Sequence, residues 1–89
     1  MQIAFEPAKD AANLARPGVS LALASELDWD SALAWVDDRF DSNELRMIAL
    51  APATHTLYYV AFVDRDDIRR IISLRKATRR EVTFYVQAH

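Results

Sequence analysis

From Ala32 to Leu74 the chain passes through four segments rich in β-branched and aromatic residues: ALAWV (Ala32 to Val36), RMIALA (Arg46 to Ala51), LYYVAFVD (Leu57 to Asp64) and DIRRIISL (Asp67 to Leu74). Their side chains follow period two, the repeat of a strand. The connectors, DDRFDSNE, PATHT and DRD, are short. Strands joined so closely pair antiparallel, because a parallel pair needs a crossover of a dozen or more residues. A four-strand meander is therefore expected, and what precedes and follows it has to pack on that sheet.

The first part of the chain has a different period. QIAF, Gln2 to Phe5, suits a short strand. Pro7 fits the first position of a helix, where its missing N–H is no loss, and Ala8, Ala11, Ala12, Leu14 and Ala15 give a small apolar stripe. Pro17-Gly18 stops that helix. Ser20 is placed to cap a second short helix, LALASEL, running to about Leu27. At the other end TRRE, Thr78 to Glu81, has the form of a capping box, followed by a helix with Val82, Tyr85 and Val86 on one side. The expected fold is α+β, one domain over residues 1–89: short strand, two N-terminal helices, antiparallel meander, C-terminal helix. With 52% hydrophobic residues, 89 residues can bury one core and little more.

Several functional classes drop out. Zero cysteines exclude a disulfide framework, a thiol nucleophile and a thiolate metal site, and suit a reducing cytosol. The longest apolar run, YYVAFV, is far short of the roughly 20 residues that span a bilayer, and no secretory signal is visible. A soluble, cytoplasmic protein with no membrane partner is expected. No Gly-rich phosphate loop is present, so no nucleotide cofactor is expected.

Charge is divided along the chain. Residues 1–44 hold nine acids and three bases, residues 45–89 four acids and eight bases, for a formal net charge of −2. Six of the eleven Lys and Arg fall within RRIISLRKATRRE, Arg69 to Glu81. On an ideal last strand Arg69, Ile71, Ser73 and Arg75 share one face, and Arg70, Ile72 and Leu74 the other. Arg79 and Arg80 then open the last helix, where a cation opposes the helix dipole by about 0.3 to 1 kcal/mol. An anion bound there would relieve that conflict.

FEPAKDAANLARPGVS, VDDRFDSNELR and IRRIISLRKATRRE together resemble the BrnT family of type II toxins over nearly the whole chain, most specifically in Ile71 to Thr78 with Glu81. The resemblance implies a RelE-like ribonuclease fold, inhibition of translation by RNA cleavage, and neutralisation by a small BrnA-like antitoxin with a ribbon-helix-helix DNA-binding domain. Operator DNA would be met only through that antitoxin. Three positions depart from the family pattern: Pro17 stands where the family has His, Ser42 and Asn43 where it has Tyr-Gly, and PATHT where a glycine-bearing hairpin is common.

Cutting RNA through its 2′-hydroxyl requires a base for that proton, cations for the charge developing on phosphorus, and an acid for the leaving oxygen. The two histidines, His55 in a turn and His89 at the end, do not suggest a His-His nuclease. The catalytic candidates are Arg46, Arg75, Lys76 and Glu44, with Glu81 a second possible proton acceptor but better suited as a cap. Arg69, Arg79, Arg80 and Tyr58 are the candidates for RNA contact, although Arg69, Arg70 and Arg80 also suit solvated surfaces. Trp35, Tyr59 and Phe62 read as core; Trp29 and Tyr58 suit stacking on a base or an antitoxin surface. The acidic groups DWD, DDRFD and DRDD lack ordered ligand spacing, and no metal site is expected. Two functions follow: an RNA-cleaving toxin held by its antitoxin, or a catalytically weakened relative that acts as an interaction module in a toxin–antitoxin complex on operator DNA.

Overall fold

A computed structural model describes residues 1–16, 18–39 and 43–89. The helix stop at Pro17 and the family position at Ser42 lie outside the described residues. The elements are β1 (Gln2–Ala4), α1 (Pro7–Ala15), two 3₁₀ helices (Leu21–Glu26 and Trp29–Ser31), β2 (Leu33–Val36), β3 (Arg46–Ala53), β4 (Thr56–Arg65), β5 (Ile68–Lys76) and α2 (Arg79–Ala88). The five strands form one sheet in the order β1-β5-β4-β3-β2. The expected meander is present as the antiparallel run β2-β3-β4-β5, and β1 joins β5 in parallel, which makes the sheet mixed.

The second short helix is a 3₁₀ helix, Leu21–Glu26, capped as expected by Ser20, whose hydroxyl accepts from the N–H of Ala22. Its buried residues give the reason. Leu21, Ala24 and then Leu27 are buried at intervals of three, which three residues per turn place on one face. They close the core against Ala49, Ala51, Val60, Phe62, Ile71 and Leu74 of the sheet.

The other face of the sheet is buried too. Ile48, Leu50, Ala61 and Val63 are buried on that face, Leu50 beside Glu81 and Phe84 of α2, so β4 is buried continuously from Val60 to Val63. α2 is held there by the Tyr85 hydroxyl, which donates to the Ser31 carbonyl at 2.7 Å, and by an edge-to-face contact of Phe84 with Trp35.

The first helix docks differently from the expectation. Its alanine stripe is exposed, Leu14 included, and the half-buried positions are Asp10 and Asn13. The reason is the bare edge of β5 beyond Arg70, where β1 no longer pairs. Asn13 covers it: its Nδ2 donates to the carbonyls of Leu74 at 2.7 Å and Val19 at 2.6 Å, and its Oδ1 accepts from the N–H of Leu74. Asp10 accepts from the N–H of Leu21 at 2.8 Å. A side chain at Gly18 would put a Cβ 2.5 Å from the Asn13 carbonyl oxygen, so only glycine lets the chain pass here.

One irregularity decides which arginines meet. Ala61 pairs with Ser73 but Phe62 with Ile71, which leaves Ile72 as an extra residue in β5. The bulge reverses the alternation beyond it. Arg69, Ile71, Leu74 and Lys76 share the face of the 3₁₀ core, whereas Arg70, Ser73 and Arg75 share the face of α2. This corrects the grouping expected from strict alternation. No helix among the described residues is long and apolar enough to cross a membrane.

Candidate active site

Arg75 emerges from the end of β5 beneath the first turn of α2. Its guanidinium lies 3.9 Å from the ring centroid of Tyr59, its cross-strand partner. Two of its nitrogens donate to the two carboxylate oxygens of Glu81 at 2.8 and 2.9 Å, a fork-to-fork pair. Glu81 at the same time accepts from the N–H of Thr78 at 2.8 Å, while the Thr78 hydroxyl accepts from the N–H of Glu81 at 3.2 Å. The capping box read from TRRE is thus present and shares its carboxylate with Arg75. Arg75 holds the Glu81 carboxyl below its ordinary range against the opposing effect of burial, with a further contribution from the Thr78 N–H. Glu81 in turn raises the Arg75 guanidinium.

A second group comes from the segment after β2. Asp37 is buried, and its carboxylate takes Nε and Nη2 of Arg39 at 2.8 and 2.9 Å, with Nε of Arg46 at 3.7 Å. Its hydrogen bond to Arg39 is the main reason its carboxyl lies below the usual range. Arg39 is raised chiefly by Asp37, and Tyr59, whose hydroxyl it engages, adds to this. One connected line therefore runs over this face of the sheet: Arg46, Asp37, Arg39, Tyr59, Arg75, Glu81. Beside it, Nη2 of Arg70 donates to both carboxylate oxygens of Glu44 at 2.9 Å.

Of the residues singled out in the sequence, Arg46, Glu44 and Arg75 share this face: Arg46 and the Glu44 partner Arg70 flank Val63, while Arg75 stands opposite Tyr59, further along β4. Arg80 stands at its margin, lining a mainly apolar groove with Trp35, Leu50, Glu81 and Phe84. Arg79 is exposed on the first turn of α2. The remaining candidates lie elsewhere. Lys76 is the cross-strand partner of Tyr58, and Tyr58 packs half-buried against the 3₁₀ core. Arg69 also faces that core, over the rings of Trp29 at 4.5 Å and Phe62 at 4.3 Å, and is paired with Asp64.

Tyr59, Asp37 and Arg39 went unmarked as site residues in the sequence. Alternation held the signal for Tyr59: on one strand Tyr59 and Phe62 cannot share a face, so one of them had to leave the 3₁₀ core. Trp29 is a core-side residue, its Nε1 donating to the Ala24 carbonyl at 3.0 Å, while Trp35 is more than a third exposed. Asp37 and Arg39 sit in an acidic connector and carried no such signal.

This arrangement can bind a phosphodiester with arginine forks, keep carboxylates beside it for proton transfer, and offer a phenol between two guanidiniums. Among the described residues no three His, Asp or Glu side chains are gathered as a metal set. A comparison with curated proteins returns no match. The family model for "Ribonuclease toxin, BrnT, of type II toxin-antitoxin system" matches residues 5–81, which takes in the α1 anchor, strands β2 to β5 and the Arg75–Glu81 pair. By that match the chain belongs to the BrnT family, the ribonuclease toxins of type II toxin–antitoxin systems.

Proposed function

We propose that this ribonuclease is a metal-independent endoribonuclease that silences translation by cutting RNA at the ribose 2′-hydroxyl, with its centre at Arg75. The observation that carries this is the connected line from Arg46 through Arg39 and Tyr59 to Arg75. Arg75, fixed by a ring below and a carboxylate beside it, is preorganised to receive a phosphate oxygen and the charge that grows there. Arg46 and Arg70 flank the strand of RNA. Glu44, paired with Arg70 and more than a third exposed, is the proposed proton acceptor, whereas Glu81 is committed to Arg75 and to the helix cap. The Tyr59 phenol, between Arg39 and Arg75, can donate to the leaving oxygen.

The antitoxin of such a system is proposed to be a ribbon-helix-helix protein that covers this face in the cytoplasm and brings the complex to operator DNA. The capture of Arg70 and Arg75 by the protein's own carboxylates favours a second function, that of a catalytically weakened toxin retained for complex formation. Cell-free cleavage of RNA with mapped 5′ ends separates the two, run with and without ribosomes and in the presence of a chelator. Discrete cuts insensitive to chelation, together with growth arrest when the chain is expressed alone, are expected. An absence of cuts from well-folded protein leaves the interaction module.

A further inference from the structure

On the same face, a second concavity of about 250 Å³ opens between α1 and β5. Its walls carry Lys9 from α1, Arg16 at the C-cap of that helix, Arg46 from β3, the side chain of Asn13, and Ile72 and Ser73 at the bulge. No carboxylate lines it among the described residues. This contrasts with the centre at Arg75, where each guanidinium already has a carboxylate; in the cleft that holds for Arg46, which meets Asp37, and not, among the described residues, for Lys9 and Arg16. Among the described residues Lys9 and Arg16 enter no ion pair. The nearest acid on their own helix, Asp10, is turned to Ser20 and the N–H of Leu21.

Stability does not account for Lys9. It is the third residue of α1, in the turn where a cation opposes the helix dipole. Asn13, midway between Lys9 and Arg16, is locked to Leu74 and so aims both cations along the edge of β5. Ser73 belongs to this concavity and stands two residues from Arg75, about 6.6 Å along a strand. An extended single strand of RNA bridges such a step with one nucleotide.

We propose that this cleft is a second phosphate subsite, which takes the RNA phosphodiester next to the one held at Arg75. Lys9 and Arg16 supply its charge, and the Ser73 hydroxyl a polar donor. The subsite rests on Arg75 being the centre of cleavage. Its work is binding and register: it holds the strand so that one phosphate reaches Arg75.

The test uses the full chain with Lys9→Gln and Arg16→Gln, both exposed, the first on α1 and the second at its C-cap. Binding is measured with a single-stranded oligonucleotide carrying 2′-O-methyl groups, which cannot be cut through the 2′-hydroxyl, over a range of salt concentrations. The slope of log affinity against log salt should shrink by about 0.7, the loss of one single-strand phosphate contact. KM for cleavable RNA should rise several-fold with the loss falling on KM rather than kcat, and Lys9→Arg should keep the parent's slope. Unchanged slope and KM, with cleavage still dependent on Arg75, would overturn the subsite and leave the centre standing. Normal cleavage by Arg75→Ala would overturn the centre and the subsite with it. If the double variant weakens only the antitoxin complex, the cleft serves an acidic protein segment and the inference fails.

Discussion

Strand β5 carries the same chemical unit twice, once on each face. On one face Arg69 lies over Trp29 and Phe62 and forks onto Asp64 at 2.7 and 2.8 Å. On the other Arg75 lies over Tyr59 and forks onto Glu81 at 2.8 and 2.9 Å. The guanidinium geometry is nearly equal, and the surroundings decide what each can do. Arg69 is closed in by rings that offer its ligands nothing polar, since Phe62 has no polar group and the Trp29 N–H is used by Ala24. Arg75 borders a phenol, a second arginine and a helix cap, all of which have further hydrogen-bonding capacity. An arginine held on an aromatic ring is thus a structural clamp or a reactive group according to what else reaches it.

The largest expected effect separates the two arginines directly. Arg75→Ala removes the principal cation of the proposed centre and should lower RNA cleavage by about 100- to 1,000-fold, the usual cost of a lost charge-stabilising donor. Arg69→Ala should leave cleavage by folded protein near that of the parent but cost about 1 to 2 kcal/mol in stability, from the cation–π contacts and the pair with Asp64. In a domain of this size each kcal/mol is about 4 to 8 °C in Tm. Cleavage rates and melting curves of the two proteins check this. If both variants lose activity alike at a temperature where both are folded, the two units are not different in kind.

The paired tyrosines give a smaller effect of the same form. Tyr59→Phe keeps the ring under Arg75 but removes the phenol proposed to protonate the leaving oxygen, and should cost about 100-fold in cleavage rate, the lower end of what a general acid contributes. Tyr58→Phe, on the core face, should leave the rate unchanged. Single-turnover kinetics on the two proteins would reveal equal rates if the phenol plays no part.

What the sequence made legible follows from local rules. Pro7 at a helix start, Ser20 and Thr78 as caps, and the reciprocal Glu81 contact depend on neighbours within four residues, and all four are present in the fold. The strands and their antiparallel order were legible for the same reason, because the connectors are short. The pairing of Arg75 with Tyr59 was not. It depends on the bulge at Ile72, and Ile-Ile-Ser contains no glycine or other mark of an extra residue. Nor was the docking of α1 legible, since Asn13 reaches Leu74 across 61 residues and an alanine stripe beside it gave the more familiar signal. The 3₁₀ helix was within reach: Leu21, Ala24 and Leu27 repeat every three residues. Arg39 joined the site through Asp37, whose N–H donates to the Arg46 carbonyl and whose carboxylate takes Arg39, a tertiary link with no local signature.

The cap couples the site to stability. Thr78→Ala should cost about 0.5 to 2 kcal/mol by freeing the N–H of Glu81. It should also lower cleavage below the melting transition, since Glu81 holds both the first turn of α2 and Arg75. Serine at the same position should restore both properties. No cap of this kind serves Arg69, so Thr78→Ala should leave the effect of Arg69→Ala on Tm unchanged, and the two costs should add. A double variant whose loss departs from the sum would show that the two faces communicate.

The smallest effect concerns protons. Glu81 lies below its ordinary value of 4.5 in the folded chain, chiefly through Arg75, and Asp37 lies below 3.8, chiefly through Arg39. A carboxyl depressed in this way binds fewer protons when folded than when unfolded. Its contribution to stability is therefore whole above the ordinary carboxylate range, and it is lost as pH falls through that range toward the folded value. Melting temperature should accordingly fall on acidification below about pH 5. Glu81→Gln keeps a side chain that can reach the Thr78 N–H but removes the titrating pair, so it should melt lower than the parent at neutral pH and approach it in acid. Asp37→Asn should behave in the same direction on the Arg39 side. Melting curves at several pH values decide the matter: if the gap between Glu81→Gln and the parent stays constant from neutral pH to about pH 3, the Arg75–Glu81 pair adds nothing to the fold. Glu81 would then be a cap alone, and the contrast between the two faces of β5 would rest on Tyr59 and Arg39.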